Sequence, residues 1–271
     1  MAIIYHYCSP ETFHKIIENK TLWLSATNNM NDFSEGKWVE NALAEVLNEI
    51  MSDENKEWCN ELWNTMVSNN KPTYVACFSK DGDILSQWRA YAQDGEGVAI
   101  GFDEECFDLK TGMIAFRTDV KESMKINEIE YINDNDIKLR IQKILNEDGN
   151  VNKSWTINKL VVNLTSLAAT TKSPAFKEEK EKRIIYKPLM LFGEVKGFKE
   201  IDLSLEHGYK IKHRISNGYL TSYFEFQFKT ESIKEIILGP KNKFSQYDMG
   251  VFMHSNKLGK TKIKQSKATY R

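Results

Sequence analysis

The sequence predicts an α+β fold, a mixed and mainly antiparallel sheet core with helices inserted between its strands. Two observations carry that reading. Short runs rich in Ile and Tyr or Ile and Leu stand near both ends of the chain, at 3–8 and 233–238. Between them lie long stretches whose apolar residues recur at three- and four-residue spacing. With 271 residues, 41% of them hydrophobic and 28% charged, the chain can bury a sizeable core and is not mainly disordered. No repeat, low-complexity tract or linker divides it, so residues 1–271 read as a single domain with helical insertions near 36–69 and 134–171.

Residues 3–8 make a first short strand. Ser9-Pro10-Glu11 then supplies an N-cap, a proline at the first helical position and an acidic first turn. Phe13, Ile16 and Ile17 give that helix its apolar face, which ends near Asn19. Residues 21–25 form a second strand, followed by a polar loop containing Asn31, Asp32 and Glu35. Val39, Ala42, Leu43, Val46, Leu47 and Ile50 mark a helix, and Trp58, Leu62, Trp63 and Met66 continue the pattern after a break at Ser52-Asp53. Residues 74–78 are apolar throughout, as expected of a central strand. A helix at 84–92 and a strand at 97–102 come next, then strand candidates at 114–116 and 129–132. Helices at 134–146 and 155–171 precede strands at 183–186, 209–211, 219–228 and 233–238. A helix from Ser245 and a basic strand close the chain.

No apolar run approaches the roughly 20 residues needed to span a bilayer. The first residues also lack a basic, cleavable leader, so a cytoplasmic protein without membrane contact is expected. Cys8, Cys59, Cys77 and Cys106 are scattered, which points to reduced thiols rather than a zinc ribbon or disulfide framework. The formal charge is −1, yet residues 201–271 carry 13 Lys and Arg against 6 Asp and Glu. That basic C-terminal region suits either a nucleic-acid or acidic protein partner, or an edge strand guarded by lysine.

Four polar clusters stand in apolar surroundings. His6 lies on the first strand beside Tyr7, where an imidazole can bond a ribose hydroxyl, act as acid or base, or simply be buried. Asn31 and Asp32 follow the second strand, as ligand contacts or turn formers. Ser79 ends the central strand, and Trp88 and Tyr91 follow at i, i+3, either stacking on a planar ring or packing in the core. Glu179 and Glu181 precede Ile184-Ile185; in a helix this run is a solvated face with Glu179 and Arg183 paired at i, i+4, whereas on a strand Glu179 and Glu181 share a face with Arg183, where two carboxylates can stabilise an oxocarbenium ion. His14, His207, His213 and His254 show no metal-ligand spacing, so no metal site is expected from the histidines.

In order, Asn31-Asp32-Phe33-Ser34-Glu35, Cys77-Phe78-Ser79, Trp88-Arg89-Ala90-Tyr91-Ala92, Gly97 to Phe102, Glu179-Lys180-Glu181-Lys182-Arg183 and Ile236-Ile237-Leu238-Gly239-Pro240 resemble the bacterial domain-of-unknown-function family 2971. The chain departs from that pattern by lacking a proline after Asp32 and by having Lys182 where tryptophan is usual. That family implies no activity. More remotely, Tyr5-His6, Ser79 and Glu179-x-Glu181 look like the strand histidine, middle serine and E-x-E of ADP-ribosyltransferase folds. This likeness implies an NAD-dependent ADP-ribosyltransferase, a toxin or anti-phage defence effector, with NAD as substrate. His6, Glu179 and Glu181 would be catalytic; His6, Tyr7, Ser79, Trp88, Tyr91, Asn31, Asp32 and Arg183 would bind the nucleotide. Two other classes fit the residues. One is a metal-dependent nuclease using Asp32, Glu35, Glu179 or Glu181; the other is a non-catalytic ligand or partner sensor.

Overall fold

The computed structural model describes residues 2–29, 35–68, 72–115, 119, 121–147, 154–188, 210–216 and 218–269. Strand β1 (Ile3–Cys8) leads into helix α1 (Pro10–Asn19). The Ser9 side chain accepts from the Thr12 amide at 3.2 Å, and Lys20, at φ 56°, ends the helix in the left-handed region. The chain continues through β2 (Thr21–Ala26), α2 (Glu35–Ile50), α3 (Lys56–Ser68), β3 (Tyr74–Ser79), α4 (Leu85–Tyr91) and β4 (Val98–Asp103). Then follow β5 (Met124–Glu128), β6 (Glu130–Tyr131), α5 (Asp134–Glu147), α6 (Ser154–Thr170), β7 (Thr171–Lys172) and, after a 3-10 turn at Pro174–Glu179, β8 (Glu181–Tyr186). The last elements are β9 (Lys212–Ser216), β10 (Tyr219–Gln227), β11 (Ile233–Leu238), α7 (Gln246–Ser255) and β12 (Lys262–Gln265).

The fold is α+β, and among the described residues of the main sheet only the β11–β12 pair is parallel. Strand order runs β12-β11-β4-β1-β3-β2-β10-β9, with β8 on β3 and β5 on β8. The two largest apolar cores among the described residues follow from the sequence pattern. One lies on the sheet face covered by α1 and α7, where Ile4, Phe13, Leu24, Phe78, Ile100, Phe102 and Met253 interlock. The other belongs to the inserted helices, where Leu43 and Val46 of α2, Leu62 of α3, Ile137 and Ile141 of α5 and Leu164 of α6 pack together.

Strand β3 is the branch point. Along one edge it pairs with β8 over its whole length, from Tyr74↔Tyr186 to Ser79↔Glu181. Its other edge meets β2 at Tyr74 and Val75 but meets β1 only at Ser79, opposite Tyr5. Between those contacts β1 and β2 diverge, so the sheet opens beside residues 76–78. An opening in a sheet leaves backbone groups that need partners and creates a concavity lined by both limbs.

Three sequence expectations are corrected. Residues 114 and 115 are not in a strand, and the strand that follows is β5, whose alternation spans only Met124 and Ile126; Phe116 lies outside the described residues. The strand expected at 209–211 begins at Lys212 instead, where pairing with β10 starts opposite Tyr223; Tyr209 lies outside the described residues. Glu179 is not on the strand with Glu181, since the proline at 174 and a left-handed Lys180, at φ 47°, place it in the preceding 3-10 turn.

Candidate functional site

A cavity of about 550 Å³ occupies the opening between β1 and β2. His6 supplies part of its wall and repairs part of the gap. Its Nδ1 lies 2.9 Å from the Cys77 carbonyl oxygen. A carbonyl only accepts, so Nδ1 carries the proton and Nε2 keeps a free lone pair. Burial lowers the His6 pKa from 6.5, holding the ring neutral near pH 7. In this state His6 is suited to accept a hydrogen bond from a ligand hydroxyl and poorly suited to act as an acid.

The same cavity wall holds Glu179 and Glu181, which belong to a cluster of two carboxylates and two cations. Lys172, 4% exposed, lies 2.7 Å from Glu179 and 3.0 Å from Glu181. Arg183 grips Glu181 with two bonds, Nε at 2.5 Å and Nη2 at 2.9 Å. Tyr91 donates its hydroxyl to the remaining Glu179 oxygen at 3.0 Å. Burial pushes the Glu181 pKa up, but Arg183, Lys172 and the Cys77 thiol outweigh it and hold the carboxyl at about 2. Glu181 is therefore ionised throughout the neutral range. It can stabilise developing positive charge but cannot donate a proton.

The structure brings His6, Tyr7, Ser79, Tyr91, Glu179 and Glu181 into the wall of this one cavity. Their local roles differ from those expected. Ser79 donates to the Glu179 carbonyl at 2.7 Å and accepts from the Asp81 amide, so it fixes the turn that presents the carboxylates. The Tyr7 hydroxyl is spent on the Asp81 carbonyl and the Ile84 amide. Trp88 is 0% exposed, packs edge-on against Tyr7 and donates to Asp83 at 2.7 Å, so it stands behind the wall and offers no stacking face. Arg183, buried beneath Glu181, holds the carboxylate and does not reach the cavity. Asn31 and Asp32 lie outside the described residues.

Several cavity residues carry little or no sequence signal of a site. Trp23 and Ser25 come from β2, Gln87 from α4, Lys172 from β7 and Arg214 from β9. Arg214 was obscured because the polar string Lys212-His213-Arg214 reads as a surface strand. Lys172 gave a weak hint, a lysine directly before a Ser-Pro cap.

Among the described residues no three His, Cys, Asp or Glu side chains converge as metal ligands. Lys172 and Arg183 already compensate Glu179 and Glu181, which disfavours a divalent ion between them. The cysteines are free thiols, and burial pushes the Cys8 thiol up, away from reactivity. The basic end of the chain includes edge strand β12, whose Lys264 pairs with Glu235. Among the described residues no helix is long and apolar enough to cross a membrane.

Comparison with known proteins bears on this geometry at one point. Residues 87–184 match the model of a family described as a protein of unknown function, DUF2971. The resemblance read from the motifs is shown over this segment. The DUF2971 match runs from α4 to β8 and takes in Tyr91, Lys172, Glu179, Glu181 and Arg183, the whole carboxylate side of the cavity. His6 and Arg214 lie outside the DUF2971 match. No curated protein and no solved structure matches the chain.

Proposed function

We propose that the cavity binds NAD and that the protein is an ADP-ribosyltransferase-like enzyme. The observation that carries this reading is that one cavity is lined both by a neutral His6, whose Nδ1 is held by Cys77, and by Glu181, ionised at neutral pH. His6 accepts a bond from a ribose hydroxyl. Glu181 faces the nicotinamide ribose, and its charge favours the oxocarbenium character that develops at the anomeric carbon. The bond from that carbon to nicotinamide breaks, and nicotinamide leaves neutral with the bonding pair. The acceptor nucleophile then bonds the same carbon, and Glu179 orients it and takes its proton. The exposed Tyr91, held by Glu179, is the aromatic group left to flank the nicotinamide. The same transfer would serve a toxin or a defence effector, the difference lying only in the acceptor.

Nicotinamide release from NAD, followed by chromatography, tests this directly. Wild-type protein should release it and Glu181→Gln should be slowed by at least ~100-fold, the scale of one electrostatic stabiliser in a dry site. Equal release by both proteins, or none by either, contradicts the assignment. One observation favours a second reading, binding without turnover. Lys172 bridges both carboxylates, and a ligand hydroxyl must compete with it for Glu181. Under that reading NAD raises the melting temperature while no nicotinamide appears.

A further inference from the structure

Arg214 projects from β9 into the cavity wall, and its guanidinium carbon lies 4.9 Å from the centre of the Trp23 ring. Nη2 donates to Ser25 at 3.0 Å, but Nε is buried with no hydrogen-bond partner. Among the described residues Arg214 forms no ion pair, and burial lowers its pKa from 12.5. A partly desolvated guanidinium with an idle N–H costs free energy on folding unless something returns it. The hydroxyls of Ser25 and Ser216 also line this part of the wall.

We infer that this end of the cavity is a phosphate subsite, in which Arg214 grips the diphosphate of a bound nucleotide while Trp23 holds the guanidinium plane. The inference deepens the reading above and rests on its nucleotide ligand. A guanidinium fork matches two phosphate oxygens, and a planar ring beneath it fixes the fork before the ligand arrives. Hydroxyls can turn their hydrogens toward an anion, whereas carboxylates would repel it. The cavity then has an anion-seeking end at Arg214 and a cation-stabilising end at Glu181, a polarity that orients a dinucleotide in one direction.

Calorimetric titration with ADP-ribose, nicotinamide riboside and inorganic pyrophosphate tests the subsite in the wild type, Arg214→Ala and Arg214→Lys. ADP-ribose should bind the wild type and weaken as salt rises. Arg214→Ala should weaken ADP-ribose by roughly 10–100-fold, the range for one charge-assisted contact, and leave nicotinamide riboside, which has no phosphate, unchanged. Arg214→Lys, which keeps the charge and loses the fork, should fall between. Unchanged ADP-ribose affinity in Arg214→Ala overturns the subsite, as does equal weakening of nicotinamide riboside, or wild type that binds neither ADP-ribose nor pyrophosphate. If ADP-ribose binding depends on Arg214 but NAD yields no nicotinamide, the subsite stands and the transfer chemistry falls.

Discussion

Glu181 owes its charge to a neighbour two residues away, Arg183, on the same face of β8. That spacing is visible in the sequence once the strand is recognised, which is why this pair was legible. Lys172 was not, because it reaches the carboxylates only after the chain has folded back through a 3-10 turn. The energetic consequence can be measured. The folded Glu181 pKa of about 2 lies below its ordinary 4.5, so the unfolded chain takes up the proton first. Stability from this carboxylate is fully present above pH 4.5 and is lost as pH falls through 2. Its full size is on the order of 3 kcal/mol. His6 acts in the same direction at higher pH, since its pKa is lowered from 6.5 and stability declines as pH drops below that value. Melting temperatures between pH 8 and 3 should therefore fall in two stages. Glu181→Gln should flatten the lower stage and His6→Asn the upper one; profiles parallel to wild type would refute these linkages.

At the scale of elements, β3 decides where the cavity opens, by pairing with β8 along one edge and with two diverging strands along the other. Its apolar run made its central place legible, but strand divergence is a property of pairing geometry and leaves no mark on a single strand. Gly97 shows the same limit. It read simply as the start of a strand, yet a Cβ there would sit 2.1 Å from the Cys8 carbonyl oxygen and 3.0 Å from that of Ala92. The backbone of β4 approaches the end of β1 so closely that only glycine fits. Urea unfolding of Gly97→Ala should show a loss of roughly 2–3 kcal/mol. In contrast, Gly250 of α7 has open space around its missing Cβ, and Gly250→Ala should be neutral or gain up to ~1 kcal/mol. Equal effects at both positions would contradict the close approach.

Over the whole molecule, the α+β class, the central strand and the paired inserted helices were legible from periodicity, because helix and strand faces must each bury an apolar side. The cavity was legible only in part. His6, Ser79, Glu179 and Glu181 stand beside recognisable strand ends, while Trp23 and Arg214, 191 positions apart, meet only through the pairing of β2, β10 and β9. The two cores give the molecule a division of labour that can be tested as a unit. The sheet limbs hold the cavity, and among the described residues the helical core of α2, α3, α5 and α6 contributes nothing to its lining. Hydrogen–deuterium exchange with and without NAD is the most direct test of the central claim. NAD should slow exchange in peptides covering 5–9, 75–79, 87–91 and 172–181 and leave α2 and α5 unchanged. Protection confined to the helical core, or none anywhere at saturating NAD, would contradict the account.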